Sequence, residues 1–440
     1  MRLNDANTHI TSVYQQPYIS TFKLGDVARH IPSAYFLTMR SFTPALAVMV
    51  LSTTQSVHAI LPSGLQVPDQ SGFINATVHP SNGGFSVCVS GLIPVQASAT
   101  NYKINLDVPK NQTDTTELWL KLSTPGSTFA RDAVTGTNNV SGTFNMAATL
   151  CVPADNLAPK EVHLATHGSP YNAQYWDFAP DYSYADIAAM HGHATFFYDR
   201  LGIGKSDRPD GIQIVQSPLG VEILHNLAVM LKSGAIGNNR FTRLVGVGHS
   251  FGSLFTTVAA TKYPEAFDAL VLTGFTSLDP ATTTVTASTT AFFAAFNAAI
   301  ASQNEPLSYD GVDNSFMVVD NPIGLQHAFL RTPFDPAILN LAAATKGSLS
   351  WGEPLSFTTS FTPLNFTGPV AVINGDADFA LCNGNCTYPL DWTTATLDYL
   401  FPKASKQGAY VAPRSGHGLN LQYAAAPAFQ WLQQFLEHSW

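Results

Sequence analysis

Residues Gly248-His249-Ser250-Phe251-Gly252 decide the fold. They follow a strand-like apolar run from Arg243 to Val247 and precede a helix-like run from Ser253 to Tyr263. A G-x-S-x-G pattern between a strand and a helix is typical of the nucleophile elbow, in which only glycine fits beside the serine and the serine hydroxyl is raised above the sheet. The pattern predicts Ser250 as a nucleophile; the alternative is an ordinary turn in a chain with 31 glycines.

A serine hydroxyl needs two partners, because it reacts well only when a base removes its proton and a carboxylate orients that base. With this elbow, the acid and then the histidine follow the serine along the chain, each after a strand. His417 follows the strand-like run 409–411. The spacing Gly-x-x-Asp after the strand-like run 369–373 favours Asp378 as the acid. Asp376 is its rival, and the other role open to Asp376 is a turn residue that hydrogen-bonds its own backbone.

The oxyanion of a tetrahedral intermediate needs two backbone N–H donors. Phe251, directly after the nucleophile, is expected to supply one. The other is expected from the loop His167-Gly168-Ser169-Pro170, which follows a strand-like run. Pro170 has no N–H, so Ser169 is the candidate. We expect His167 to pack beside the site rather than to react.

These motifs together resemble the α/β-hydrolase superfamily over about residues 160–440. The resemblance implies a mostly parallel sheet with helices on both faces and a catalytic triad, but no particular substrate. A finer resemblance, to secreted fungal α/β hydrolases, includes the β-rich segment from about residue 70. The stretches that carry it are His167-Gly168, Tyr175-Trp176-Asp177, Tyr198 to Ser206, Gly248 to Ser253, Leu272 to Phe275 and Cys382 to Cys386.

The composition excludes some partners. Of 440 residues only 12% are charged, about half the usual share, and the net charge is −9. Because the chain has no basic patch, we expect no nucleic-acid partner. We expect no cofactor and no metal, since no second Cys-x-x-Cys or nearby histidine pair completes a zinc site. The oligomeric state is not predicted.

The segment 39–59 has the features of a secretory signal peptide. Arg40 precedes the apolar run 45–51, and a small-residue cleavage site ends at Ala59. The apolar run is too short to span a bilayer, and a short buried helix is the alternative. Residues 1–38 are polar and unpatterned, so we expect an over-extended reading frame or a non-folding leader, and a mature protein that starts near Ile60.

Two further features favour a secreted, extracellular glycoprotein. Four cysteines allow three pairings; the short spacing of Cys382 and Cys386 favours a bond between them, which leaves Cys88 for Cys151. Five Asn-x-Ser/Thr sequons are predicted glycosylation sites: Asn75, Asn111, Asn139, Asn365 and Asn385.

Three regions follow the predicted signal peptide. Residues 60–155 form a β-rich N-terminal extension, and residues 156–275 and 366–440 form an α/β core in which strands and helices alternate. Residues 276–365 are expected to be a helical cap insertion. The strands predicted in the extension are Phe85–Val89, Tyr102–Leu106, Glu117–Leu122 and Phe144–Val152; those predicted early in the core are 161–166, 194–198, 243–247 and 269–273, with helices near 183–191 and 219–232.

Two segments have open alternatives. Within 281–301, Phe292, Phe293, Phe296 and Ile300 form a one-sided stripe, which predicts a helix that packs the cap onto the core or contacts substrate. The stretch Asp199-Arg200 with Gly202-Ile203-Gly204 lacks the third glycine and downstream acid of a dinucleotide site. We therefore expect a tight loop in which Arg200 braces the neighbouring strand ends.

The sequence as a whole favours a serine hydrolase that cleaves a carboxylic ester, lactone or related acyl bond. The expected substrate is a small molecule with an apolar body, since the cap should close an apolar pocket over Ser250. Two rivals stay open. One is a lyase, transferase or cyclase that uses the same triad on a secondary metabolite, and the other is a catalytically silent binding protein.

Overall fold

The computed structural model describes residues 67–440, apart from 125, 278–295 and 358–360. The predicted leader and signal peptide, and Phe292 and Phe293 of the predicted cap helix, lie outside the described residues. Within the described part of the chain, no helix combines the length and the apolar character that a membrane span requires.

Twelve strands are described, nine of them in one sheet. They are β1 Ile74–Pro80, β2 Ser86–Ile104, β3 Val134–Pro153, β4 Glu161–Thr166, β5 Ala194–Tyr198, β6 Arg243–His249, β7 Ala269–Thr273, β8 Ala298–Ile300, β9 Phe316–Val319, β10 Leu349–Ser350, β11 Val370–Gly375 and β12 Gln407–Ala412. The large sheet has the order β1-β2-β3-β5-β4-β6-β7-β11-β12. From β5 to β12 neighbouring strands are parallel, whereas β1, β2 and β3 are antiparallel. The mostly parallel sheet confirms the predicted fold class.

The helices of the core follow the parallel strands, as the alternating pattern predicts. The described helices are α1 Gln112–Ser123, α2 Phe129–Ala133, α3 Tyr184–Met190, α4 Ser217–Ser233, α5 Phe251–Lys262, α6 Ala301–Asn304, α7 Pro322–Phe329, α8 Pro336–Thr345, α9 Gly352–Ser356, α10 Phe379–Cys382, α11 Trp392–Leu400 and α12 Ala425–Glu437.

The sheet separates two apolar cores. Successive side chains of a strand point to opposite faces; in β6, Leu244 packs in one core and Val245 and Val247 in the other. In β7, Leu270 packs in the same core as Leu244, and Val271 packs in the other. Each such buried side chain contributes about 1.5–3 kcal/mol. Because both faces are buried, these strands are continuous apolar runs.

The N-terminal extension is dominated by one long hairpin. β2 and β3 pair almost without interruption from Ser86 opposite Pro153 to Lys103 opposite Gly136. Two strands predicted separately, 85–89 and 102–106, therefore lie largely within β2, although Asn105 and Leu106 fall beyond its end. Because β3 pairs with β5, the hairpin is continuous with the main sheet.

The strand predicted at Glu117–Leu122 is wrong, because these residues belong to α1. A strand would place Leu118, Leu120 and Leu122 on one face. Instead Leu120 is 54% exposed and Trp119 is buried. Leu118 and Leu122, one helical turn apart, pack against the core beside Trp119.

The insertion between β7 and β11 contains a small antiparallel sheet, β10-β9-β8, as well as helices. The helix predicted over 281–301 is wrong at residues 298–300, which form β8. Residues four apart share a face in a strand as well as in a helix, so the spacing of Phe296 and Ile300, both buried, does not separate the two. Two long-range partners hold β8. It pairs with β9, and the Gln112 side chain donates to the Ala298 carbonyl at 2.8 Å and accepts from the Ile300 N–H at 2.9 Å.

All four cysteines are paired as the spacing predicts. Cys88 and Cys151 lie opposite each other on β2 and β3 and are joined by a disulfide. Cys382 is bonded to Cys386, four residues further on. The first bond joins the two arms of the hairpin, and the second closes a short loop after Asp378.

The two disulfides should differ in their effect on stability. In the chain-entropy model, loops of 63 and 4 residues correspond to about 4 and about 2 kcal/mol of stabilisation. The double change Cys88→Ala with Cys151→Ala should therefore lower the free energy of unfolding more than Cys382→Ala with Cys386→Ala. Urea denaturation of both variants measures the difference, and equal losses would contradict the expectation.

Candidate active site

Ser250 lies at the strained turn between β6 and α5. Its backbone has φ 53° and ψ −116°, a left-handed conformation that costs a non-glycine residue about 1–3 kcal/mol. A Cβ on Gly248 would come within 2.5 Å of the Ser253 Cα, and one on Gly252 would overlap the Thr166 carbonyl oxygen. Only glycine permits this packing, so the helix holds Ser250 at the carboxyl edge of the sheet.

Asp378 and His417 meet at the same edge. Asp378 follows β11, and its Oδ2 lies 2.7 Å from His417 Nδ1. The other carboxylate oxygen accepts the Leu381 N–H at 2.9 Å. Both side chains are fully buried. A histidine whose Nδ1 is held by a carboxylate presents Nε2 as a base, and the carboxylate stabilises the imidazolium that forms.

Asp376 has a different role from Asp378. Its carboxylate accepts the backbone N–H groups of Arg414 and Ser415, at 2.8 and 3.0 Å. The expectation that Asp376 bonds its own backbone is therefore wrong in detail, because it holds the loop that carries His417. Backbone bonds from Asp376 to Ala412 and from Ala377 to Ser415 join the same two loops.

The loop after β4 packs directly against Ser250. A Cβ on Gly168 would lie 2.8 Å from the Ser250 Cβ. Ser169, the next residue, is fully buried. Phe251 begins α5, and the first N–H groups of a helix have no partner within that helix. The two predicted oxyanion donors, Ser169 and Phe251, therefore lie on segments that flank Ser250.

Arg200 connects these two segments. Its Nη2 donates to the Ser169 hydroxyl at 3.1 Å, and its guanidinium carbon lies 5.6 Å from the centre of the Phe251 ring. Nη1 donates to Glu353 of the insertion at 2.6 Å, and both side chains are buried. Burial raises the pKa of the Glu353 carboxyl, although the Arg200 charge opposes this rise. The bracing role predicted for Arg200 is filled by a buried ion pair with Glu353 and a bond to Ser169.

Two other histidines at this edge, His167 and His249, are buried and neutral. The Arg200 N–H donates to His167 Nε2, so His167 carries its proton on Nδ1, which donates to the Gly168 carbonyl at 2.8 Å. His249 Nδ1 donates to the Thr273 hydroxyl at 3.0 Å. Burial lowers the pKa of both imidazoles well below the usual value; the Arg200 charge adds to this for His167, and the neighbouring imidazoles add to it for His249. His167 packs beside the site, as the sequence predicts.

Aromatic rings enclose the histidine. Tyr175 stacks on His249 with ring centres 4.6 Å apart, and the His249 ring lies 5.0 Å from that of His417. Phe329, the last residue of α7, places its ring 5.7 Å from His417, and its carbonyl accepts the Gly418 N–H at 2.7 Å. The described part of the insertion therefore contacts the histidine loop directly.

A second aromatic row begins at the elbow. The ring of Phe251 lies 5.9 Å from Phe357, which lies 6.3 Å from Phe361, and that ring lies 5.8 Å from Phe275. Phe357 and Phe361 come from the insertion, whereas Phe275 follows β7. Ser250, next to this row, is 8% exposed. The row forms one apolar side of the site, and the serine is largely closed to water.

Comparison with known proteins identifies the family. A model of the alpha/beta hydrolase family matches residues 164–429, more than half of the chain, so the chain belongs to the α/β-hydrolase family. No curated protein sequence matches it.

Several solved structures are similar to this chain. A thermophilic esterase from Thermogutta terrifontis is similar at 13% identity, over 68% of this chain and 95% of that chain, with a TM-score of 0.46. The epoxide hydrolase VrEH1 from Vigna radiata is similar at 16% identity, over 67% and 95% of the two chains, with a TM-score of 0.43. Mouse alpha/beta hydrolase domain-containing protein 10 is similar at 13% identity, over 67% and 95%, with a TM-score of 0.40.

The structure brings the predicted site residues to one edge of the sheet, and it adds Glu353 and Phe329 from the insertion. Neither lies in a motif, since each reaches the site through the packing of the insertion. Among the described residues, the one cluster of three metal-ligating side chains is Glu161, His163 and His193. It lies at the start of β4, away from the loop beside Ser250.

Substitution of the two aspartates should separate their roles. Asp378→Asn should lower kcat by about 10⁴, because an amide no longer selects the reactive tautomer of His417. Asp376→Asn should keep kcat within about tenfold but lower the free energy of unfolding by about 1–3 kcal/mol, because it weakens two backbone bonds. Steady-state kinetics and urea denaturation measure both effects. A crippling loss of kcat with Asp376→Asn and a near-normal rate with Asp378→Asn would reverse the assignment.

Removal of Arg200 should affect stability and turnover separately. Arg200→Met leaves Glu353 buried without its partner, which should destabilise the fold by about 3–5 kcal/mol. The double variant with Glu353→Met should recover most of that stability, because it removes both charges. Its kcat should stay reduced by about 10²-fold if Arg200 orients the Ser169 loop. Full kcat in the double variant would show that the ion pair only stabilises the fold.

Proposed function

We propose that the chain is a serine hydrolase that cleaves a carboxylic ester, lactone or related acyl bond through an acyl-enzyme. The observation that carries the proposal is the convergence of the strained Ser250 elbow with the Asp378–His417 pair, which are linked through the ends of β6, β7 and β11. Ser250 N–H bonds to the Thr273 carbonyl, and the Gly274 N–H bonds to the Ile373 carbonyl, both at 2.9 Å.

In the first half of the proposed reaction, Ser250 Oγ attacks the acyl carbon and His417 Nε2 takes the hydroxyl proton. Asp378, 2.7 Å from Nδ1, stabilises the imidazolium. The N–H groups of Ser169 and Phe251 stabilise the oxyanion. The tetrahedral intermediate then breaks its bond to the leaving oxygen, which takes the proton from His417, and an acyl-serine remains.

In the second half, water attacks the acyl-serine and gives a proton to His417. Breakage of the acyl–Oγ bond returns that proton to Ser250 and releases the carboxylic acid. The neutral state of His167 and His249 supports this scheme, because neither adds a positive charge that would hinder protonation of His417.

The proposed substrate is a small molecule with an apolar body. Two aromatic sets support this choice: the row that starts at Phe251, and Phe329 beside His417. In this proposal the insertion 276–365 acts as a cap over the core. Burial of an apolar acyl or alcohol group against these rings would position the scissile bond at Ser250.

We also propose that the protein is secreted and glycosylated. The two disulfides support an oxidising compartment, and all five sequon asparagines are exposed. Asn111 caps the start of α1, where its side chain accepts a hydrogen bond from the Asp114 N–H, and the residue is nevertheless exposed to solvent.

A panel of nitrophenyl esters tests the proposed reaction. The protein should release nitrophenol from short and medium acyl chains, and Ser250→Ala should lower kcat by about 10⁴ to 10⁶. Ser253→Ala is the matched control, since that hydroxyl, one turn away in α5, donates to the Thr273 carbonyl at 2.9 Å. The control should keep its turnover.

Three results would count against the proposal. Full activity in Ser250→Ala would exclude the serine nucleophile. Equal losses in Ser250→Ala and Ser253→Ala would indicate damage to α5 rather than to chemistry. Saturable binding of an ester without turnover, in protein that is folded by circular dichroism, would identify a binding protein instead of an enzyme.

A further inference from the structure

Two imidazoles and a carboxylate converge at the amino end of the parallel sheet. They lie at the start of β4, whereas the loop that packs against Ser250 follows its other end. Glu161 and His163 are two residues apart on β4 and therefore share a face. Val162 pairs with Ala194 of β5, so His193 lies beside Glu161 across the two strands. We call Glu161, His163 and His193 the Glu161 cluster; one ligand atom of each lies within 4.8 Å of the others.

Each member of the Glu161 cluster also has a hydrogen-bond partner outside the cluster. Tyr184 Oη lies 2.7 Å from His163 Nδ1, and Gln433 Oε1 lies 2.9 Å from His193 Nδ1. Arg243 donates to Glu161 Oε2 at 2.9 Å. Partners of this kind on the outer atoms are typical of metal-ligating histidines and carboxylates, because they fix the tautomer and the orientation.

The inner atoms then face one another. Glu161 Oε1 lies 3.0 Å from His163 Nε2 and 3.7 Å from His193 Nε2. Gln433 Oε1 only accepts, so a neutral His193 carries its proton on Nδ1 and turns a bare Nε2 towards a carboxylate oxygen. Two lone pairs that face each other favour a cation between them.

We propose that the Glu161 cluster binds one divalent transition-metal ion, with zinc as the best fit and a water molecule as the fourth ligand. Two imidazole nitrogens and one carboxylate oxygen suit zinc rather than calcium or magnesium, which prefer oxygen ligands. In a tetrahedral site with bonds near 2.0 Å the ligand atoms are about 3.3 Å apart, between the two separations observed here. His163 then donates from Nδ1 to Tyr184, and the partly exposed side of His193 leaves room for the water.

The proposed ion would be structural rather than catalytic. Glu161 begins β4 and Thr166 ends it, so the cluster is about 17 Å along the strand from the loop beside Ser250. Through Tyr184 and Gln433 the ion would tie β4 and β5 to α3 and α12. No metal is expected from the sequence, because Glu161 and His163 on β4 and His193, 30 residues after His163 and just before β5, form no recognised motif.

Zinc titration of chelator-treated protein tests the proposal. Calorimetry should show one equivalent of Zn²⁺ bound, and Tm should rise with free zinc. His193→Gln should weaken binding by about 100-fold or more. His191→Gln is the matched control, since that side chain pairs with Glu437 at 2.6 Å outside the cluster, and it should bind zinc as the unchanged protein does. Ester hydrolysis by the unchanged protein should not depend on the chelator.

Co²⁺ in place of Zn²⁺ gives a measurement that needs no variant, since a four-coordinate site shows strong visible absorption. Absence of zinc binding and of that absorption would overturn the proposal. It would indicate that Gln433 presents its amide N–H to His193 and that a hydrogen bond from His193 to Glu161 completes the network. Unchanged affinity in His193→Gln, or an equal loss in His191→Gln, would also overturn it, because the ion would then lie elsewhere.

Discussion

The structure depends most on the close approach of α5 to the edge of the sheet at Ser250. Gly252 packs against the Thr166 carbonyl with no room for a side chain, and this contact forces Ser250 into a left-handed conformation. The strain is tolerated because the helix is buried against the parallel strands. Once the turn is fixed, the strand ends that carry Asp378 and His417 are fixed as well, since β6, β7, β11 and β12 are consecutive neighbours in the sheet.

Much of the fold follows from local patterns. The core strands and helices are predicted well because burial on both faces gives continuous apolar runs separated by helix-like segments. The errors occur where the spacing of the apolar residues suits both a strand and a helix. Residues 117–122 alternate like a strand but pack as a helix through Leu118, Trp119 and Leu122, and the spacing of Phe296 and Ile300 suits a helix as well as β8. Distant partners decide both cases, and no local pattern contains them.

The candidate site likewise contains residues that the sequence predicts and residues that it does not. Ser250, Asp378 and His417 follow from chain order and flanking strands, because parallel strands bring their carboxyl ends to one edge. Glu353 and the Glu161 cluster could not be predicted, since their partners lie on segments far apart in sequence. The buried Arg200–Glu353 pair joins the insertion to the loop that carries Ser169. The packing of the insertion and the position of the Ser169 loop are therefore coupled through Arg200.

The central claim is that Ser250 is a nucleophile activated by His417. The most direct test is labelling with a fluorophosphonate, which forms a stable bond only with an activated serine, followed by peptide mapping by mass spectrometry. The account predicts one adduct per chain, on the peptide that contains Ser250, and loss of labelling when His417 is changed to alanine. An adduct on another serine, or unchanged labelling of Ser250 without His417, would contradict it.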